Sequence, residues 1–82
     1  MDPILGQIAI FTYGWTPQGW YPCNGDILKV SDHQALFSLI GNKFGGDGRT
    51  TFALPNLKAA GETLGDNLLY AIATEGIYPQ RP

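Results

Sequence analysis

Gly45-Gly46-Asp47-Gly48-Arg49-Thr50-Thr51-Phe52-Ala53-Leu54-Pro55-Asn56-Leu57 places a glycine-rich turn directly before a short apolar run that a proline ends. Gly45, Gly46 and Gly48 permit φ values that other residues reach only under strain, so the stretch reads as a built turn, with Asp47 and Arg49 bracing it by hydrogen bonds or a local ion pair. Phosphate binding does not fit the pattern. A Walker motif needs Gly-Lys-Ser/Thr opening a helix, whereas here Gly48 precedes Arg49-Thr50-Thr51 and a strand-like run.

Upstream, Ser31 and Gln34 have the spacing of a capping box, in which the hydroxyl accepts from the N3 amide and the Gln side chain returns to the cap. Leu36, Leu39 and Ile40 share a helical face beside Phe37, and Gly41-Asn42 supplies the stop, which predicts a helix over 32–40. His33, in its first turn, reads as solvated, with no second metal ligand near it in sequence. Further back, Trp20-Tyr21-Pro22-Cys23 and Asp26-Ile27-Leu28-Lys29-Val30 flank Asn24-Gly25, a dipeptide suited to a type I′ turn, and so predict a hairpin. Pro22 lacks an N–H and belongs on an edge or at a bulge, which leaves part of the hairpin open to a partner. Leu5 to Tyr13 alternates as a strand with two apolar faces, which suggests a central position.

Downstream, the small and polar residues of 58–67 read as a linker, and Leu68 to Thr74 as a strand buried on both faces. The expected fold is therefore a small α+β domain, mostly antiparallel, with one short helix and a core of Ile8, Ile10, Trp20, Leu28, Leu36, Phe37, Leu39, Ile40, Phe52, Leu54 and Ile72. The chain divides into a domain over 1–57, the linker, and a C-terminal strand over 68–82 that completes this subunit's sheet or a neighbour's.

A chain of 82 residues buries only about 60% of its unfolded surface. The single cysteine, Cys23, cannot form an intrachain disulfide, and no His/Cys cluster offers a structural metal, which leaves self-association as the common remaining means of stabilisation. A net charge of −2 with scattered Lys and Arg supplies no stripe for nucleic acid, so none is expected as a partner. With only 15% charged residues against 44% hydrophobic, the surface is expected to be apolar enough to meet other subunits. No run reaches the ~20 apolar residues of a membrane span, and Met1 to Gly6 has neither the basic nor the apolar region of a signal peptide, so synthesis in the cytoplasm is expected.

Several phrases occur in one order: Gly6-Gln7-Ile8, Gly19-Trp20 with Cys23-Asn24-Gly25, Gln34-Ala35-Leu36-Phe37-Ser38-Leu39, and the 45–57 run itself. In this the chain resembles the phage tail-collar family, whose bacterial members include the microcystin-dependent proteins, and Tyr70-Ala71-Ile72-Ala73 through Gly76-Ile77-Tyr78-Pro79-Gln80-Arg81 resembles the C-terminus of the latter. The resemblance implies a shortened member without the long central region, so the receptor-binding and metal-coordinating parts of that region cannot be transferred to residues here. It also departs after Leu57, where Lys58-Ala59-Ala60 stands in place of an Arg-Gly pair common in relatives.

No catalytic constellation appears: His33 lacks a partner motif, Cys23 follows Pro22 rather than opening a helix, and no carboxylate spacing singles out a pair. No catalytic residue, metal ligand or cofactor is expected. The expected function is that of a structural subunit of a phage-tail-like fibre or extracellular filament, located in a virion or outside the cell and partnered by itself. Leu68, Leu69, Tyr70, Ile72, Ile77, Tyr78 and Pro22 are the candidate interface. The alternative is an adhesion module that meets a host or bacterial cell surface, with Trp15, Trp20 and Tyr21 as an aromatic platform for a glycan, although such indoles also serve simply to bury area.

Overall fold

The computed structural model describes residues 3–65 and 68–80. Asp66 and Asn67 of the expected linker, and Arg81 of the C-terminal phrase, lie outside the described residues. Among the described residues, five strands and two seven-residue helices follow in the order β1 (Ile8–Phe11), β2 (Trp20–Pro22), β3 (Ile27–Lys29), α1 (Gln34–Ile40), β4 (Thr51–Ala53), α2 (Lys58–Leu64) and β5 (Leu69–Ala73). All strand pairings are antiparallel, in a three-stranded sheet ordered β1-β5-β2 and a two-stranded sheet of β3 and β4. The domain is α+β, as its patterning predicts.

Phe52, Leu36, Leu54, Ile72 and Cys23 are the largest fully buried side chains, joined by Leu5 and Leu28 in one cluster. Phe37, Leu39 and Ile40 pack on it half-buried, which confirms the apolar face of α1. Trp20 is also half-buried, its ring set edge-on to Phe11 at 5.1 Å. Ile8 and Ile10 depart from expectation: they are 43% and 45% exposed. The reason is topological, because β1 pairs only with β5 and is an edge strand rather than a central one. The central place belongs to β5, whose Ala71, Ile72 and Ala73 are buried.

The hairpin expected at Asn24-Gly25 is replaced by a passage between the two sheets. Gly25 does adopt a φ of +81°. The chain before it, however, joins β5, where the Cys23 amide donates to the Tyr70 carbonyl at 2.9 Å, and the chain after it joins β4. Asn24 bridges to Asn56, and the Leu57 amide donates to the Cys23 carbonyl at 2.6 Å. Long-range ladder bonds thus outweigh the local turn preference.

The helix over 32–40 is interrupted at its start. Val30–Asp32 forms a 3₁₀ turn and α1 begins at Gln34, with His33 at the N-cap and no side-chain cap bond. Ser31 lies inside that turn, too early in the chain to cap α1, so the capping box does not form. His33 is half-buried rather than solvated, its ring edge-on to Phe52 at 6.5 Å. Gly41 ends the helix at φ +57° as expected, its amide donating to the Phe37 carbonyl at 2.8 Å.

The linker reading of 58–67 overlooks α2. Lys58-Ala59-Ala60-Gly61-Glu62-Thr63-Leu64 is rich in helix formers, and buried Gly61 lets the helix approach the chain entering β5. A Cβ at Gly61 would stand 2.8 Å from the Leu68 carbonyl oxygen.

Candidate functional site

The glycine-rich turn is organised by Asp47. Its Oδ1 accepts from the amides of Arg49, Thr50 and Thr51 at 2.8, 2.8 and 2.9 Å, while the Thr50 hydroxyl donates to Oδ2 at 2.6 Å. The Asp47 amide in turn donates to Thr51 Oγ1 at 3.1 Å. One carboxylate so collects the amides that would otherwise point unpaired from the loop, and Gly45, Gly46 and Gly48 supply the φ values of +135°, +87° and +74° that bend the backbone around it. Arg49 contributes its amide to this arrangement. Among the described residues no Asp47–Arg49 ion pair is formed.

The Thr50 hydroxyl and then the three amides hold the Asp47 carboxyl far below its ordinary value of 3.8. Because the folded-state pKa is depressed, the contribution to stability is complete above the unfolded value and is lost as pH falls from about 4 toward the folded pKa. Asp47→Asn is expected to remove that part of the acid dependence and to speed amide exchange at Arg49, Thr50 and Thr51, as followed by NMR hydrogen exchange across a pH series. Equal exchange rates in the two proteins would refute the clamp.

Of the three residues of the aromatic platform, Trp15 and Trp20 end one row of neighbouring rings, Trp15–Tyr13–Phe11–Trp20, with centroids 4.4, 5.7 and 5.1 Å apart, while Tyr21 lies apart from it. Trp15 is 61% exposed and its ring lies 4.4 Å from that of Tyr13, a neighbour that sequence reasoning missed. Trp20 stands opposite Ala73 and Tyr21 opposite Ile72, so the two point to opposite faces of the sheet. Tyr21 packs on the core.

The candidate interface residues also separate. Ile72 is fully buried, Leu68, Leu69 and Tyr70 are half-buried, and Ile77 and Tyr78 are exposed. Both flanks of β5 are taken by β1 and β2 of the same chain, so its main-chain hydrogen bonds are made within the subunit. Ile77 is tied back through a parallel bridge to Ile4, and the Tyr78 hydroxyl lies 2.8 Å from Ser38 Oγ. Pro22 lies on an edge strand, as its missing N–H requires. Unforeseen in the sequence is the exposure of Ile8 and Ile10 on one face of β1 and of Tyr13 and Trp15, which continue from Phe11 on the other.

Clefts open at two places among the described residues. One of about 250 Å³ is lined by Pro3, Gln18, Gly19, Glu75 and Gly76, and one of about 310 Å³ by Val30, Ser31, Gln34, Arg49 and Thr50. The first holds one carboxylate and the second one cation, and neither joins a nucleophile to a base. Among the described residues no three His, Cys, Asp or Glu side chains come together in a way that could hold a metal. Cys23 is buried, and desolvation pushes its thiol up to about 11, which keeps it protonated and unreactive at neutral pH. No helix among the described residues is long and apolar enough to cross a membrane.

The model of the phage tail collar domain matches residues 6–60, a span that runs from just before β1 through β4 into the first turn of α2. The chain belongs to the phage tail collar domain family. No curated protein and no solved structure matches it. β5 lies beyond the matched span yet is the middle strand of the larger sheet.

Proposed function

We propose that this chain is a structural subunit of a phage-tail-like fibre or extracellular filament, joined to copies of itself through apolar surface and carrying out no catalysis. Family membership supports the phage-tail role. The observation that carries self-association is the exposure of Ile8 and Ile10 on the edge strand β1, and of Tyr13 and Trp15 in the loop after it, on a chain of this size. A lone domain gains nothing from leaving these side chains in water, whereas an interface buries them at about 25 cal/mol per Å². The site of action that follows is the virion or the exterior of the cell.

Light scattering coupled to size exclusion, followed by electron microscopy, tests this reading: a defined oligomer or fibres are expected. A monomer at all concentrations overturns it. A second reading, a glycan-binding adhesion module, rests on the exposed Tyr13–Trp15 pair. It predicts instead that a monomer binds a glycan array and that Trp15→Ala abolishes the binding.

A further inference from the structure

The two outer strands of the β1-β5-β2 sheet have unlike free sides. In an antiparallel ladder each residue turns its N–H and C=O to the same side, and the side alternates along the strand. The Ala73 amide donates to the Gln7 carbonyl at 2.9 Å, which turns Gln7, Ala9 and Phe11 toward β5. Ile8 and Ile10 therefore present their amides and carbonyls to the outside. On the opposite flank the Thr74 amide donates to the Gly19 carbonyl and the Cys23 amide to the Tyr70 carbonyl, so Tyr21 faces β5 while Trp20 and Pro22 face outward. The Trp20 amide is already used by the Pro17 carbonyl at 3.1 Å, and Pro22 has no N–H. The β2 edge thus has no donor to offer. The β1 edge has two, with their acceptors, and beyond the glycine bulge that sets Gly6 and Gln7 against Ala73, Ile8 to Thr12 carries no charge or proline to guard it.

We infer that β1 pairs antiparallel with β1 of a second copy across a two-fold axis at Ala9, joining three strands from each copy into one sheet. The inference rests on the self-assembling reading above and specifies its contact. Outward residues must meet outward residues, so Ile8 bonds with the partner subunit's Ile10, and Ile10 with the partner subunit's Ile8. The exposed isoleucines then form β-branched cross-strand pairs, and a strand without charge meets its copy with no like-charge contact. Head-to-tail growth, β1 on β2 of the next copy, lacks donors on one side. The sheet contact therefore closes as a pair, and a filament needs a different surface for its second contact.

Ala9 and the partner's Ala9 form the non-hydrogen-bonded pair on the axis, with Cα atoms about 4.5 Å apart, within the reach of a disulfide. Ala9→Cys is expected to give a covalent dimer on mild oxidation, while the native chain, with Cys23 only 1% exposed, gives none. Ile10→Pro removes an outward N–H without touching the β5 ladder, and is expected to weaken the dimer at least tenfold in sedimentation equilibrium while the circular dichroism spectrum is kept. An oligomer that neither crosslinks at residue 9 nor responds to Ile10→Pro overturns edge pairing and leaves self-assembly standing. A native chain monomeric throughout overturns both. Should Ile10→Pro not fold, the crosslink decides alone.

Discussion

Phe52→Ala is expected to take away a large share of the domain's folding free energy. Phe52 has no exposed surface, stands opposite Leu28 in the β3–β4 pair, and packs its ring against Phe37 at 5.4 Å and His33 at 6.5 Å. With Leu36 and Leu28 it belongs to the cluster that joins α1 to the smaller sheet. Truncating a buried Phe costs about 3–5 kcal/mol, because lost burial and the cavity left behind add together. Folded domains hold roughly 0.05–0.15 kcal/mol per residue, or about 4–12 kcal/mol for 82 residues, so one substitution removes a large share of the total. Urea unfolding followed by circular dichroism measures it. A loss under about 1 kcal/mol would show that the site relaxes around the gap and that Phe52 is not the pivot of the core.

Gly46→Ala is expected to be the most disruptive change in the turn. Gly46 has a φ of +87°, and a Cβ there would stand 2.5 Å from Phe52 Cα, 2.7 Å from the Thr51 carbonyl oxygen and 2.8 Å from the Phe52 amide nitrogen. All three are backbone atoms of β4, so no side chain can rotate away, and the strand itself must shift from β3 and from the core. Left-handed backbone costs a non-glycine residue about 1–2 kcal/mol before any clash is counted, so a loss of at least about 2 kcal/mol is expected. The same urea measurement checks it, and an unchanged midpoint would mean that the turn is looser than its contacts indicate.

These two residues mark where the sequence was most legible. Glycines at 45, 46 and 48 followed by an apolar run announce a tight turn entering a buried strand, and both sides of that reading hold. The helical face of Leu36, Leu39 and Ile40 and the glycine stop at residue 41 are equally local signals, decided by the 3.6-residue period and by the φ only glycine reaches easily. That Asp47 braces the turn is legible, but the choice between hydrogen bonds and an ion pair is not, because an acidic residue in a turn does not disclose how many amides will converge on it. The second helix was lost for a related reason: Ala59-Ala60-Gly61 reads as pliable chain until its contact with the chain entering β5 is known.

What the sequence by itself determined is thus the glycine turn with the buried strand after it, the apolar face and end of α1, the α+β class, and the ordered phrases by which the collar family is recognised, all of which depend on residues close together in the chain. Tertiary structure alone decided the partners. Whether Asn24-Gly25 closes a hairpin depended on Tyr70 and Asn56, and whether Ile8 and Ile10 lie inside or outside depended on β5 taking the central place between β1 and β2. Strand pairing is settled by hydrogen bonds and burial shared between distant segments, and an apolar strand reads alike in the chain whether its second edge meets its own sheet or remains open to another copy.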